Sequence, residues 1–350
     1  MAENESLHKT KIWQDDAKMK KLALALMATT AMGTMANTHA ATMCVFDLLG
    51  ASGEAYQQMK GWALQAKSWG ADVKLKAYTD ERVANEDFKA GKCDGVSITA
   101  MRGREYNKFV GSIDSIGAVP NNKVAQSAIS FTLNSRNAAK MVSANKKYEI
   151  VGVAPLGSAY LFVNDRSINS VAKAAGKKIA VLDYDSAQKK MVQQIGAQPV
   201  SSDVTNFASK FNNGQVDIIG APAYSFKPLE LHKGLGSKGA MVNFPILHVT
   251  ANVIIHPEKF PAGFGQKSRD WFVKQLPKAF STISKLEAGI PAKYKMTIPA
   301  DDKIGYQKMM RESRIALTKQ GVYDKSMMAV LKKARCSVDK SNFECSLAGE

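Results

Sequence analysis

The four cysteines, Cys44, Cys93, Cys336 and Cys345, are the side chains best suited to chemistry, because thiols either bind metals or form disulfides. A metal site is one alternative, but no cysteine has a CxxC partner or a neighbouring histidine. Four cysteines allow three pairings, and Cys336 and Cys345 lie close together in the sequence. We therefore predict two structural disulfides, Cys336–Cys345 and Cys44–Cys93.

Few other residues suggest catalysis. Beyond residue 40 the sequence contains His232, His248 and His256, and it lacks a GxSxG elbow, an HExxH motif and a P-loop. Gly176-Lys177-Lys178 resembles part of a phosphate loop but lacks the upstream glycine and the Ser or Thr that follows the lysine. We predict that the protein is not an enzyme, and we predict neither a cofactor nor a metal.

Polar side chains near the carboxyl ends of the predicted strands are candidates for ligand binding, because ligands of open α/β sheets bind at that edge. Tyr160, on a segment that connects the two halves of the chain, is added because its ring can stack on a solute. The predicted ligand-binding residues are Ser52, Thr99, Arg102, Arg104, Tyr160, Asp183, Tyr184 and Tyr224.

Each of these candidates also has a simpler interpretation. The turn around Ser52 (residues 50–53) either offers backbone N–H groups to an anionic ligand or is an ordinary glycine turn. Arg102 and Arg104 either face the ligand or lie in solvent. Residues 183–185 either favour a neutral or cationic solute or form a solvated turn.

The elements that position these residues form two similar halves. Residues 44–49, 71–77 and 93–99 read as strands, and helices over 54–69 and from 79 or 80 to 88 separate them. This βαβαβ pattern predicts a parallel sheet with strand order 2-1-3. Cys44 and Cys93 then lie on adjacent strands, within the reach of a disulfide.

The second half repeats the alternation, with strands near 179–183 and 216–220. Residues 148–164 and 244–255 read as crossing segments, and Pro155 and Gly157 divide the first into two separate strands joined by a hinge. Helices are predicted over 268–288 and 301–334. The predicted domains are a leader (1–40), lobe 1 (41–154 and 250–300), lobe 2 (155–249) and a C-terminal helix with a disulfide-stapled tail (301–350).

The first forty residues predict export. Lys18, Lys20 and Lys21 precede a short apolar stretch over 22–35, and Ala40 ends a small-residue cleavage site. A membrane span is the alternative, but the stretch is shorter than the roughly 20 apolar residues that a bilayer requires. We predict cleavage before Ala41, a periplasmic location and a chain that is not membrane-embedded.

The net charge of +17 raises the question of nucleic acid. The lysines occur as scattered pairs, and no basic stripe is interleaved with aromatic residues. We therefore predict a basic solvated surface and no nucleic-acid partner.

Three short motifs in order resemble a known family. Residues 176–181 (GKKIAV), 195–200 (IGAQPV) and 211–217 (FNNGQVD) resemble the series GxKIRV, GAxPV and aLxxGxVDG of TRAP-type (DctP-like) periplasmic solute-binding proteins. More closely, the chain resembles the AdeT-type proteins of Acinetobacter, which are described as RND efflux components in aminoglycoside resistance. The resemblance implies a type II two-lobe fold, in which each lobe has a mixed, mainly parallel sheet flanked by helices, plus C-terminal helices.

The same resemblance implies a function and one important difference. We expect a small-molecule solute to bind between the lobes and to pass to an inner-membrane permease. The alternative is an accessory protein of an RND-type efflux system without solute capture. The arginine that anchors the solute carboxylate in the family is replaced by Ala180, so an organic-acid solute is not carried over.

Overall fold

The computed structural model describes residues 40–350. The predicted leader, apart from Ala40, lies outside the described residues and stays a prediction. The strands are β1 (Ala41–Phe46), β2 (Val73–Tyr78), β3 (Gly95–Thr99), β4 (Glu149–Val163), β5 (Lys178–Leu182), β6 (Gln198–Ser202), β7 (Ile218–Pro222), β8 (Ala240–Ile255) and β9 (Lys295–Met296).

Helices flank these strands along the described chain. They are α1 (Glu54–Ser68), α2 (Glu81–Lys89), α3 (Ala100–Gly103), α4 (Lys108–Gly111), α5 (Asn122–Thr132), α6 (Val171–Ala174), α7 (Ser186–Gln194), α8 (Phe207–Asn212), α9 (His232–Leu235), α10 (Phe264–Ala288), α11 (Ala300–Lys319) and α12 (Lys325–Val338). No helix within residues 40–350 is both long enough and apolar enough to cross a membrane.

The first lobe is built as the alternation of elements predicts. Strands β2, β1 and β3 lie side by side in that order and run parallel. On α1 the predicted apolar stripe, Met59, Trp62, Ala63 and Ala66, is buried, because these positions share one helix face. The disulfide Cys44–Cys93 is present, with its Cα atoms 5.9 Å apart. The predicted strand order and the predicted pairing are both confirmed.

Two long antiparallel strands, β4 and β8, run through both lobes. The interruption predicted at Pro155 and Gly157 is a bulge in a continuous strand, so the expected pair of separate strands is wrong. Proline and glycine are tolerated there because a bulge leaves one residue unpaired and re-aims the strand. Gly157 has φ +115°, which strongly favours glycine. The bulge lies beside the predicted boundary between the lobes.

The second lobe contains β7, β5 and β6, next to the other halves of β4 and β8. Strand β5 pairs with β6 along its whole length, but it pairs with β7 only through Ile179 and Ile218. Beyond that pair the two strands diverge, and a space opens between them at their carboxyl ends. This space contributes to the site described below.

The C-terminal region contains a helical hairpin where one helix was predicted. Helix α11 ends before Gly321, whose φ of +72° suits only glycine well. After the turn, α12 packs against α5 of the first lobe. The predicted disulfide Cys336–Cys345 is present. Four buried charges anchor the tail, since Arg314 and Arg335 form ion pairs with Glu344 and Glu350.

Candidate solute-binding cleft

A small cavity of about 130 Å³ lies where β5 and β7 diverge. We call it the inner cavity. Most of its lining is apolar and comes from both lobes, with Ala180 among the lining residues. The side chains that line it include Phe46, Leu48, Met101, Ile116, Leu161, Val181, Met191, Leu247 and Val249.

A larger space of about 550 Å³, the outer groove, adjoins the inner cavity. Phe46, Leu48, Thr99 and Tyr224 line both spaces, so these four residues form the partition between them. The other walls of the outer groove are α1, α10 and residues 223–228. Its lining is more polar and includes Ser52, Glu54, Gln57, Gln58, Lys227, Gln275, Lys278, Thr282 and Lys285.

Three of the predicted ligand-binding residues line these spaces. Ser52 lines the outer groove, and Thr99 and Tyr224 lie in the partition. Burial raises the pKa of Tyr224, so the hydroxyl stays protonated. That hydroxyl makes no hydrogen bond to another residue of the described range, so it is free to bind a solute. The assignment of these residues to a ligand stays a prediction.

Three other predicted residues connect the lobes and do not line either space. Glu81, at the start of α2, is fully buried and accepts a hydrogen bond from Arg102 Nε at 3.1 Å. The hydroxyl of Tyr184, from the other lobe, donates to Glu81 Oε2 at 2.7 Å. The Arg102 guanidinium also lies over the Tyr184 ring, 3.7 Å from its centroid. The carboxylate of Glu81 therefore holds the side chains of Arg102 and Tyr184 in place.

A second contact between the lobes lies nearby. Arg104 Nη1 donates to Asp185 Oδ1 at 3.0 Å, and both side chains are largely buried. Asp185 also accepts from the backbone N–H of Ala187 and so caps α7. We use the term cross-cleft network for Glu81, Arg102, Arg104, Tyr184 and Asp185. The network holds the two lobes together on one side of the inner cavity.

The remaining predicted residues lie away from both spaces. Tyr160 packs on the other side of the sheet, and its hydroxyl lies 3.4 Å from Glu287 on α10. Asp183 is exposed, and its backbone N–H donates to Ser202. Neither side chain lines the inner cavity or the outer groove.

The turn around Ser52, for which an anion site and an ordinary glycine turn were both left open, leads into a helix start that a carboxyl group of the chain already occupies. Asp47 Oδ2 accepts hydrogen bonds from the backbone N–H groups of Ala55 and Tyr56, in the first turn of α1. A Cβ atom on Gly53 would lie 1.7 Å from Asp47 Oδ1, so glycine is required for this close approach. The chain therefore supplies the carboxylate for this helix start.

The structure also brings together residues that the sequence did not reveal. Asp114 lines the inner cavity and is only 2% exposed. Its carboxyl accepts hydrogen bonds from the backbone N–H and the hydroxyl of Thr250, at 2.9 and 2.7 Å. Burial raises the pKa of Asp114 to about 7. In the sequence Asp114 looks like part of a polar turn, since it follows no predicted strand.

No group of three or more His, Cys, Asp or Glu side chains within residues 40–350 is arranged to hold a metal ion. His248 lies at 2% exposure beside Phe280, with 5.5 Å between the ring centroids. Neither of its ring nitrogens has a hydrogen-bond partner in the described part of the chain. Burial lowers the pKa of His248 to about 3, so the ring is neutral at neutral pH.

Comparison with known proteins identifies the family. The model of the family described as "Solute-binding protein AdeT 1/2" matches residues 63–350. The chain belongs to this family. It is 56% identical, over 87% of its length and 100% of the relative, to the "Probable solute-binding protein AdeT1" of Acinetobacter baumannii. The "Probable solute-binding protein AdeT2" of the same species is 34% identical, over 68% of this chain and 100% of that relative.

Solved structures share the fold at low sequence identity. A TRAP periplasmic solute-binding protein from Desulfovibrio salexigens, with bound orotic acid, has a TM-score of 0.67 at 16% identity. It is covered to 99%, and it covers 85% of this chain. A TRAP protein from Haemophilus influenzae RdAW, with bound L-gulonate, also has a TM-score of 0.67, at 11% identity over 84% of this chain and 99% of that one. The predicted type II fold is confirmed.

Proposed function

We propose that the protein captures a small solute between its lobes in the periplasm and delivers it to a membrane transporter, without chemical change. One observation carries the proposal: both lobes line a largely apolar cavity that adjoins a larger, more polar groove. Such a concave space, with a few polar groups among apolar walls, is typical of small-molecule sites. A chain that served only as a scaffold would have no need for this space.

The chemistry of the cleft argues against a short organic acid held in the inner cavity. The structurally similar TRAP proteins are described with bound orotic acid and L-gulonate. In this chain Ala180 lines the cavity at the position of the family arginine, so no guanidinium is available there to form a bidentate clamp. The ionisable carboxyl groups that do line the cavity, those of Asp114 and Asp185, are acidic and offer no cation to a carboxylate.

The cross-cleft network supports a closing mechanism for capture. Two of its contacts, Tyr184 with Glu81 and Asp185 with Arg104, join residues of separate lobes, so they form only when the cleft is closed. Tyr184 bonds to Glu81, and Asp185 pairs with Arg104, in largely buried surroundings. We propose that the predicted site residues divide into two groups. Ser52, Thr99 and Tyr224 contact the solute, whereas the network residues stabilise the closed form.

The test is a thermal-shift screen of the mature protein against a metabolite panel that includes aminoglycosides. A solute at a hundred times its Kd stabilises a protein by about 2.7 kcal/mol, which is easily detected. An Ala180→Phe variant fills the inner cavity and should abolish the shift. The control is Ala172→Phe, since Ala172 is exposed and outside the cleft. Absence of any shift across a broad panel would favour the efflux-accessory function instead.

A further inference from the structure

The two adjoining spaces differ in character, and this difference defines a class of ligand. The inner cavity is small and apolar, and its two acidic residues are already bonded within the protein. Asp114 accepts from Thr250, and Asp185 accepts from Arg104 and caps a helix. The inner cavity therefore offers little to a charged group and suits a hydrocarbon body.

The outer groove carries cationic side chains without acidic partners. Lys227, Lys278 and Lys285 line it, and none has a carboxylate within 4.0 Å in the described range. Lys278 and Lys285 are seven residues apart on α10, so they lie on the same side of the helix, about 10 Å apart along its axis. Lys227 belongs to the loop after β7.

The acidic residues of the outer groove do not cancel this charge. Asp47 is bound to the backbone N–H groups at the start of α1 and is 8% exposed. Glu54 is the other acidic residue of the lining. Three lysines therefore face one solvated carboxylate, and the groove attracts a negatively charged group.

We propose that the ligand is an amphiphile whose apolar tail ends in the inner cavity and crosses the partition, and whose anionic head group lies among the lysines of the outer groove. This inference rests on the proposed function and adds a second subsite to it. The hydrocarbon chain of the ligand passes the partition, where the Tyr224 hydroxyl can donate a hydrogen bond to a polar atom near the head group. The anionic group thus lies outside the cavity that Ala180 lines.

The experiment compares three probes with the same hydrocarbon chain: decanoate, decanol and decyltrimethylammonium. Their affinities are measured by isothermal titration calorimetry on the mature protein. We expect decanoate to bind most tightly, with one molecule per chain. Its affinity should fall when NaCl is raised from about 50 to about 500 mM, because salt screens exposed charges. The affinity of decanol should change little.

Two sets of variants locate the two ends of the probe. Replacing Lys227, Lys278 and Lys285 together by glutamine should weaken decanoate about tenfold and leave decanol unchanged. The matched control replaces three exposed lysines that lie outside both spaces, Lys173, Lys267 and Lys274. Ala180→Phe should abolish the binding of both probes.

Several outcomes would overturn the inference. Tighter binding of decyltrimethylammonium than of decanoate would contradict the assigned sign of charge. If the groove variant and its control lose the same affinity for decanoate, the three groove lysines do not form a subsite for the head group. A third outcome separates this inference from the proposed function. If no decyl probe binds, but a solute from the metabolite panel binds and Ala180→Phe blocks it, the proposed amphiphile is wrong and the proposed function stands. If nothing binds at all, both fail.

Discussion

Replacing Tyr184 by phenylalanine removes one hydroxyl from the cross-cleft network and leaves the rest of the side chain in place. The hydroxyl donates to Glu81 Oε2 at 2.7 Å, and the ring packs against the Arg102 guanidinium at 3.7 Å. Glu81 keeps its bonds from Arg102 Nε and from the Thr99 backbone N–H, at 3.1 and 2.6 Å. The substitution therefore removes one contact between the lobes without orphaning the carboxylate.

The size of the effect follows from the kind of bond that is lost. A hydrogen bond to a charged group contributes about 1.5–3 kcal/mol. In the open form water hydrates the Tyr184 hydroxyl and the Glu81 carboxylate, so the substitution destabilises the closed form alone. The ratio of open to closed molecules should rise by about 10- to 150-fold. If the solute binds only the closed form, its apparent Kd rises by at most the same factor.

Two measurements check this prediction. Small-angle scattering should show a larger radius of gyration for Tyr184→Phe than for the wild type, and calorimetry should show weaker binding of an identified solute. Tyr148→Phe is the control, because the Tyr148 hydroxyl makes no hydrogen bond within the described residues. Unchanged scattering together with an unchanged Kd would refute the idea that this network holds the lobes closed.

Three further substitutions test buried groups by urea unfolding. The wild type should lose stability as the pH rises from about 4 to about 7, because the unfolded Asp114 carboxyl ionises near its usual pKa, whereas the folded one stays protonated to about 7. Asp114→Asn should remove this loss. Parallel curves of unfolding free energy against pH for the two proteins would contradict this prediction. The wild type should also lose stability as the pH falls below about 6.5, because the unfolded His248 ring takes up a proton there, whereas the folded ring, with its pKa near 3, stays neutral. His248→Leu should remove this loss. If both proteins lose the same stability in acid, His248 has a partner that stabilises its protonated form. Glu344→Gln should cost about 3 kcal/mol, since it leaves Arg314 partly unpaired in a buried cluster. A cost below about 0.5 kcal/mol would mean that Glu350 alone satisfies the cluster.

Much of the fold could be predicted because its signals are local. The apolar stripe around Trp62 and the alternation of strands and helices fixed the first lobe, and the strand order then placed Cys44 beside Cys93. Crossing segments were recognised for the same reason. A helix over 301–334 was predicted where Gly321 ends one helix before the next begins, because a single glycine inside a helical pattern is often tolerated.

The candidate site was less predictable, because it depends on contacts between distant segments. The rule that ligands bind at strand ends selects Arg102 and Arg104, but it does not say which way a guanidinium points. Arg102 pairs with Glu81 of its own lobe and lies over Tyr184 of the other lobe, and Arg104 pairs with Asp185 of the other lobe. Glu81 reads in the sequence as an ordinary acidic residue at a helix start. The outer groove was missed because α10, which forms its wall, lies about two hundred residues from α1.

The most direct test of solute capture is native mass spectrometry of the protein isolated from periplasm, with Ala180→Phe prepared in parallel. We expect the wild type to carry a small molecule at one copy per chain and the variant to lack it, because phenylalanine occupies the inner cavity. If the wild type carries no added mass, and no solute restores one, the account of this cleft as a binding site is contradicted. If the variant carries the same mass as the wild type, the solute binds elsewhere on the protein.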